Sequence, residues 1–310
     1  MFKKILFATS ASPASDNAAK VAFDLSRKHK AQLLVFHVLG LPTRAFSLDV
    51  DDVRTGDREN ISTDYHEWVL EELKTTYAEQ LAEGSDHVTL KAMTGVPSTE
   101  ILRYARQENV DLIIMGANTR DENVGSARAR SFIGNTMLRV TKSARCPVLI
   151  INRPCTTCWN LFSNIIFCTD FSKAADAAFT FARNTAEEIG AKLYLFHAVD
   201  LSAQLLGLYS GQIEIERLIE KAGQKMQEKY ISKLGDYDNY AVEIWEGTPY
   251  VEVLKFAREK QGDLIIMAHH TRDVPEEEAE LGSTVEQVVL RSACPVASVT
   301  HMNSAEAMPA

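Results

Sequence analysis

Two glycine-containing stretches in this chain could wrap the phosphates of a ligand. The first, residues 116–139, reads GANTRDENVGSARARSFIGNTMLR and follows the apolar run DLIIM. Glycine lets backbone N–H groups approach a phosphate closely, and the N-terminus of a following helix favours negative charge there. Arg120, Arg128 and Arg130 would add compensating charge, or they form a solvated surface with no ligand.

The second stretch, residues 268–291, reads AHHTRDVPEEEAELGSTVEQVVLR and carries the opposite charge. Its loop contains four glutamates within residues 276–280. At an effective dielectric constant near 20, one like-charge contact at about 4 Å costs on the order of 4 kcal/mol. We therefore expect weak triphosphate binding there, unless these side chains point away.

A lone C-x-x-C, formed by Cys155 and Cys158, lies between the two halves of the chain. It supplies two of the four ligands that structural zinc takes, and His269, His270 or a partner chain would complete the set. A redox pair and two ordinary linker thiols are the other interpretations. The five cysteines are too few and too scattered to predict a disulfide framework.

Length and composition predict a globular chain of two domains. It has 310 residues, 45% hydrophobic content and a formal charge of -9. The negative charge argues against broad binding to nucleic acid or anionic membranes, because clustered Lys and Arg supply most of that affinity. No apolar run approaches the roughly 20 residues that span a bilayer, so we expect a cytoplasmic location.

An internal repeat organises the whole sequence. KKILFATSAS returns as SNIIFCTDFS, AQLLVFHV as AKLYLFHA, VDLIIMGANTRD as GDLIIMAHHTRD, and SARCPVLII as SACPVASV, always in the same order. This repeat predicts a first domain over residues 1–153, a linker over 154–163, a second domain over 164–303 and a tail over 304–310.

Each copy alternates strand-length apolar runs with amphipathic helical segments. In the first copy KILFAT, QLLVFHV, HVTLKAM, DLIIMG and PVLII predict strands covered on both faces. Helices are predicted after Ser15 or Asp16 as N-cap, over residues 64–83 and 98–106, and after Gly134. The alternation predicts an α/β fold of two doubly wound domains, each with a mostly parallel sheet and helices on both faces.

The ordered motifs resemble the universal stress protein family in its tandem form. They are KKILFATS and NIIFCTDFS, LFHV and LFHA, GVPSTEIL and GTPYVEVL, DLIIM twice, and a terminal CPV twice. The resemblance implies a five-stranded sheet in each half and, as in some members, binding of ATP or AMP with Mg²⁺. In those members an Asp ends the first strand, and a Gly-x-x-Gly, nine residues, Gly-Ser/Thr motif after the fourth surrounds the phosphates.

Each copy departs from that motif differently. The first copy has Ser10 in place of the Asp and Thr119 in place of the second Gly, with fourteen residues before Gly134. The second copy keeps Asp170 but has Ala268 and Thr271 in place of the early glycines. The resemblance therefore implies nucleotide contacts by Val38, Met115, Gly116, Gly134, Asn135 and Thr136 in the first copy, and by Asp170, Ala198, Met267, Gly282, Ser283 and Thr284 in the second.

Several of these residues also have an interpretation without a ligand. Asp170 could cap the next helix together with Ser172. Gly134 and Gly282 could simply begin helices. His37 and His197 occupy apolar strand positions typical of hydrogen-bonded core or rim residues.

Two functional hypotheses remain open on the sequence. The first is a nucleotide-binding regulator of the stress response, with at most weak ATPase activity because no catalytic arrangement is legible. The second is a non-enzymatic interaction module whose degenerate crevices are empty or hold another small molecule. In both, we expect the halves to pair through CPVLII and CPVASV, so that one chain imitates a dimer; a further homodimer and unknown protein partners are left open.

Overall fold

The computed structural model describes residues 2–12, 15–40, 49–51, 58–60, 63–84, 87–117, 135–152, 162–201, 212–269 and 283–299. The elements of the first half are β1 Lys4–Thr9, α1 Asp16–His29, β2 Gln32–Gly40, β3 Asp49–Asp51, β4 Arg58–Asn60, α2 Thr63–Thr76, α3 Ala78–Ala82, β5 Val88–Gly95, α4 Pro97–Glu108, β6 Leu112–Gly116, α5 Asn135–Ser143 and β7 Val148–Ile151. Those of the second half are β8 Asn164–Cys168, α6 Lys173–Ile189, β9 Lys192–Val199, α7 Gln212–Lys229, a 3-10 turn Ile231–Lys233, β10 Tyr240–Glu246, α8 Pro249–Glu259, β11 Leu264–Met267, α9 Ser283–Arg291 and β12 Val296–Ser298.

The doubly wound α/β architecture is confirmed in both halves. The five long strands of the first half lie in the order β5-β2-β1-β6-β7, and those of the second half in the order β10-β9-β8-β11-β12. Within each half, all neighbours among these five strands are parallel. The strand order therefore reverses between β1 and β6, and again between β8 and β11, which is where open α/β sheets bind ligands.

The two halves join into one ten-stranded sheet through their last strands, as expected from the sequence. β12 runs antiparallel to β7, with Val296 opposite Ile150 and Ser298 opposite Val148. Phe2 and Phe181 add an aromatic contact beside the join, with their ring centroids 6.2 Å apart. Because the join is antiparallel, the carboxyl ends of the strands face opposite edges of the sheet in the two halves.

Buried strand residues explain why the sheet is covered on both faces. Every residue of β1 after Lys4, and every residue of β11, is buried, and their side chains alternate between two core clusters. α1 covers one face with Ala18, Val21, Ala22 and Leu25 at helical spacing, and it begins after Ser15 as expected. Among the described helices, none combines the length and the apolar character that a membrane span requires.

Two local features differ from the sequence prediction. The helix expected over residues 64–83 is interrupted at Tyr77, whose backbone leaves the helical region with φ -106° and ψ 22°. This side chain turns into the core, where its ring lies against Phe7 and Phe23. The short antiparallel pair β3–β4 lies outside the long sheet and was not expected, because DVD and REN are mostly polar and contain no apolar run.

Candidate functional site

A crevice opens beyond the carboxyl ends of the strands at each point where the strand order reverses. The second-half cavity measures about 350 Å³ and lies between the ends of β8, β9 and β11 and the starts of α8 and α9. The first-half cavity, in the equivalent place, measures about 140 Å³. Cavities that hold small molecules generally measure about 300–1,000 Å³, so only the second crevice reaches that range.

Asp170 stands at the mouth of the second crevice, two residues after the end of β8. Its Oδ1 accepts a hydrogen bond from the backbone N–H of Ser172 at 2.9 Å, and the side chain is exposed. Ser172 is the N-cap of α6, where its hydroxyl accepts from Ala175 N at 3.3 Å. Asp170 therefore does not cap α6 itself, and its second carboxylate oxygen makes no hydrogen bond within the described part of the chain.

The equivalent turn of the first half is closed by hydroxyl groups. Ser10 Oγ lies 2.8 Å from Ser12 Oγ and 2.8 Å from Ser15 Oγ. Ser15 is 3% exposed and precedes α1 without capping it through its side chain. A hydroxyl cluster thus occupies the position that a carboxylate holds in the other half.

One hydrogen-bonded network appears in both halves, beneath the two turns. Thr169 Oγ1 lies 2.9 Å from Tyr230 Oη and accepts from Phe171 N at 2.9 Å, while His197 Nδ1 lies 2.7 Å from the Thr169 carbonyl oxygen. In the first half Thr9 Oγ1 lies 2.5 Å from Tyr77 Oη and accepts from Ala11 N at 2.9 Å, and His37 Nδ1 lies 3.0 Å from the Thr9 carbonyl oxygen. Each crevice therefore rests on a threonine whose hydroxyl is hydrogen-bonded to a tyrosine that directly follows a later helix.

The two histidines of this network favour the neutral form. Burial lowers the pKa of His197 and of His37 below the ordinary value, and this outweighs the raising effect of the carbonyl contact. Since a carbonyl oxygen can only accept, Nδ1 carries the proton, and Nε2 is an acceptor. These rings are hydrogen-bonded rim residues, as one interpretation of the sequence held.

A glycine, a proline and a glutamate shape the entrance to the helix beside each crevice. Pro249 begins α8 and lines the second cavity, and Gly247 precedes it with φ +139°. The side chain of Glu252 folds back so closely that a Cβ on Gly247 would lie 2.8 Å from its Oε1. Gly95 and Glu100 repeat the arrangement at α4, so GVPSTE and GTPYVE are motifs of close packing.

The crevices bring together most of the residues that the sequence singled out. Asp170, Ala198, Met267 and Thr284 line the second cavity, whereas Val38, Met115, Gly116 and Thr136 line the first. Asn135 begins α5 and is exposed, and Ser283 begins α9. Gly134, Gly282, Thr119, Thr271, Cys155 and Cys158 lie outside the described residues.

No metal site is present among the described residues, where no three His, Cys, Asp or Glu side chains are grouped to hold an ion. His269, a candidate ligand beside the C-x-x-C, is buried in the second crevice with its Nδ1 2.9 Å from Ser298 Oγ. The remaining thiols, Cys146, Cys168 and Cys294, are free and buried. Burial raises the pKa of Cys146 to about 12 and that of Cys294 to about 11.

Sequence reasoning missed the threonine–tyrosine pairs. Their signal was present in the repeat, because Thr9 and Thr169 directly precede the compared residues Ser10 and Asp170. Tyr77 and Tyr230 also stand at equivalent places, in TTYAEQL and EKYISKL. Apolar periodicity identifies such tyrosines as core residues, but it gives no information about the hydrogen-bond partner of the hydroxyl.

A family model described as the universal stress protein family matches residues 1–152 and again residues 161–300. The chain belongs to this family. A universal stress protein of Methanocaldococcus jannaschii is 29% identical over 160 residues, which are 50% of this chain and 84% of that protein. One from Bacillus subtilis is 26% identical over 153 residues, covering 49% of this chain and 99% of its own length.

A solved structure extends the likeness to both halves at once. The crystal structure of a universal stress protein from Archaeoglobus fulgidus covers 97% of this chain and 97% of its own, with a TM-score of 0.64 and 21% identity. At that identity the likeness shows the fold alone. The tandem organisation of two family domains is confirmed by the doubled family match.

Proposed function

We propose that this universal stress protein binds an adenine nucleotide, ATP or AMP, in its second-half crevice and acts as a nucleotide-responsive regulator of the stress response. One observation carries the proposal: a cavity of about 350 Å³ at the strand-order reversal combines Asp170, an apolar wall and the start of a helix. That combination suits a ligand with a flat apolar base, hydroxyl groups and an anionic end.

The lining residues divide into three chemical parts. Asp170 offers a carboxylate oxygen to which ribose hydroxyl groups would donate, and a hydrogen bond to a charged group contributes about 1.5–3 kcal/mol. Phe196, Val253 and Met267 give the apolar surface for the base. Thr284 lies in the first turn of α9, whose N-terminus would face the phosphate end.

Mg²⁺ would enter with the phosphates, where it neutralises part of their charge. The described residues hold no cluster of acidic ligands of their own for it. Asp170 lines this crevice and brings a carboxylate to it before any ligand binds. We therefore expect AMP to bind at least as tightly as ATP.

Isothermal titration calorimetry with ATP and with AMP at fixed Mg²⁺ tests this function. Asp170→Ala should weaken binding roughly tenfold to a hundredfold, which follows from the loss of about 1.5–3 kcal/mol. Ser10→Ala is the matched control in the other half and should leave the affinity within about twofold. Absence of heat at millimolar nucleotide would sink the proposal, and so would equal losses in the two variants.

A second function, that of an interaction module without nucleotide, is favoured for the first half. There Ser10 is engaged with two other hydroxyl groups and the cavity measures about 140 Å³. On this proposal the chain binds one nucleotide, not two. The stoichiometry of the same titration decides it, because a value of two per chain would assign a nucleotide to each half.

A further inference from the structure

The turn that carries Asp170 has a backbone conformation that must be held in place. Phe171 has φ +62°, in the left-handed region that residues other than glycine adopt only at a cost. It lies between Asp170 and the N-cap Ser172. A change at Phe171 would therefore redirect the Asp170 carboxylate relative to the crevice.

Lys229, at the end of α7, ties this turn from outside. Its Nζ donates to the carbonyl oxygen of Phe171 at 2.8 Å and reaches that of Ser172 at 3.4 Å. The same ammonium pairs with Asp176 Oδ1 at 3.1 Å in the first turn of α6. One cation thus connects α7, the turn and α6, and its hydrogen bonds are charge-assisted.

The Phe171 ring adds a second hold on the turn. Its centroid lies 4.4 Å from that of the His197 ring and 6.2 Å from that of Tyr230, to which it is nearly parallel at 16°. Lys225 Nζ lies 5.6 Å from the Phe171 ring centroid. The turn is therefore held in two ways, by packing of the Phe171 ring against His197 and Tyr230 and by the hydrogen bond from Lys229.

The described residues of the first half repeat the backbone turn, but with other side chains at the two equivalent places. Ala11 has φ +54° at the place of Phe171, but it carries no ring. Thr76 precedes Tyr77 as Lys229 precedes Tyr230, so an uncharged side chain stands in the first half where the lysine stands in the second. The half that has Asp170 in this turn also has Lys229, and the half that has Ser10 has Thr76 at the equivalent place.

We propose that Lys229 is a positioning residue of the second crevice, which fixes the turn so that the Asp170 carboxylate is held ready for the hydroxyl groups of a ligand. The inference rests on the proposed nucleotide function. Lys229 acts through Asp170 and not by direct contact with the ligand. Its effect should therefore depend on Asp170 being present.

Calorimetry with adenosine tests the inference, because this probe has no charge for a lost cation to attract. Lys229→Met should bind adenosine roughly tenfold more weakly, and Lys229→Arg should restore the affinity to within about threefold. Lys221→Met removes an equal charge from an exposed position two turns earlier on α7 and should change the affinity less than about twofold. In an Asp170→Ala background, Lys229→Met should also change it less than about twofold.

Amide hydrogen exchange gives a readout that needs no ligand. In Lys229→Met, exchange over residues 170–173 should be faster by about tenfold, while Lys221→Met should leave it unchanged. The inference is overturned if Lys229→Met binds adenosine as tightly as the wild type, or if its loss multiplies with that of Asp170→Ala. If the wild type binds ATP or AMP but not adenosine, the positioning role fails and the proposed function stands. If it binds none of the three, both fail.

Discussion

Replacing Thr9 by valine should destabilise the protein, because the change leaves two polar groups without their partner. Thr9 Oγ1 is 2.5 Å from Tyr77 Oη and accepts from Ala11 N at 2.9 Å. Tyr77 is 1% exposed, and the raised pKa of about 12 reflects burial of its hydroxyl. Valine keeps the shape of threonine but removes this hydroxyl partner.

The expected loss follows from the two contacts. A buried hydroxyl left unsatisfied costs about 1–3 kcal/mol, and the partly buried Ala11 N–H adds about 1 kcal/mol. Thr9→Val should therefore lower the free energy of unfolding by about 2–4 kcal/mol. Urea unfolding followed by far-UV circular dichroism measures this as a lower midpoint with an unchanged slope.

Matched variants separate the hydrogen bonds from general packing. Tyr77→Phe removes the hydroxyl itself and should cost about 1 kcal/mol, and the double variant should cost less than the sum of the single ones. Thr169→Val should lose less than Thr9→Val, because the Asp176 carboxylate remains beside the Tyr230 hydroxyl. A loss below about 0.5 kcal/mol for Thr9→Val, or a larger one for Thr169→Val, would refute this reasoning.

Three further predictions concern backbone, protonation and thiols. Gly247→Ala should cost more stability than Gly190→Ala. Gly190→Ala introduces only the left-handed strain of about 1–2 kcal/mol, whereas a Cβ on Gly247 would also lie 2.8 Å from Glu252 Oε1. Thermal unfolding of both variants measures the difference. Burial lowers the pKa of His37 and of His197 below 6.5, so their contribution to stability is present above that pH and is lost as the pH falls through the lowered values. The double His→Gln variant should therefore lose less stability than the wild type between pH 7 and pH 5, as urea midpoints would report, and an unchanged loss would contradict the assignment. A thiol reagent should label the buried cysteines Cys146, Cys168 and Cys294 only after unfolding. Rapid labelling of any of the three in the folded protein would show that burial does not protect it.

The sequence predicted the elements well where apolar runs were long. All five long strands of the first half were expected, because continuous runs such as those of β1 and β6 lie between two layers of helices. The break between α2 and α3 at Tyr77 was not expected, because the local sequence pattern does not show that this tyrosine leaves the helical conformation. Its hydroxyl partner, Thr9, lies 68 residues away in the chain.

The sequence predicted residues that line the two crevices, but it did not predict the shape of either crevice. The exchange of Asp170 for Ser10 between the halves can be read from the repeat alone. The difference between cavities of about 350 Å³ and about 140 Å³ cannot, because a volume depends on how side chains from several elements pack. Nor does the sequence tell that Ser10 is engaged by Ser12 and Ser15.

The antiparallel join of β7 and β12 has a consequence for how such a protein can change. In a dimer of two identical chains, every substitution appears in both crevices, so neither can be altered without the other. Here one chain contains both, and a mutation falls on one crevice alone. The crevices also open at opposite edges of the sheet, so a partner docked at one leaves the other accessible. Because both copies lie in one chain, the binding properties of one crevice can change while those of the other stay the same.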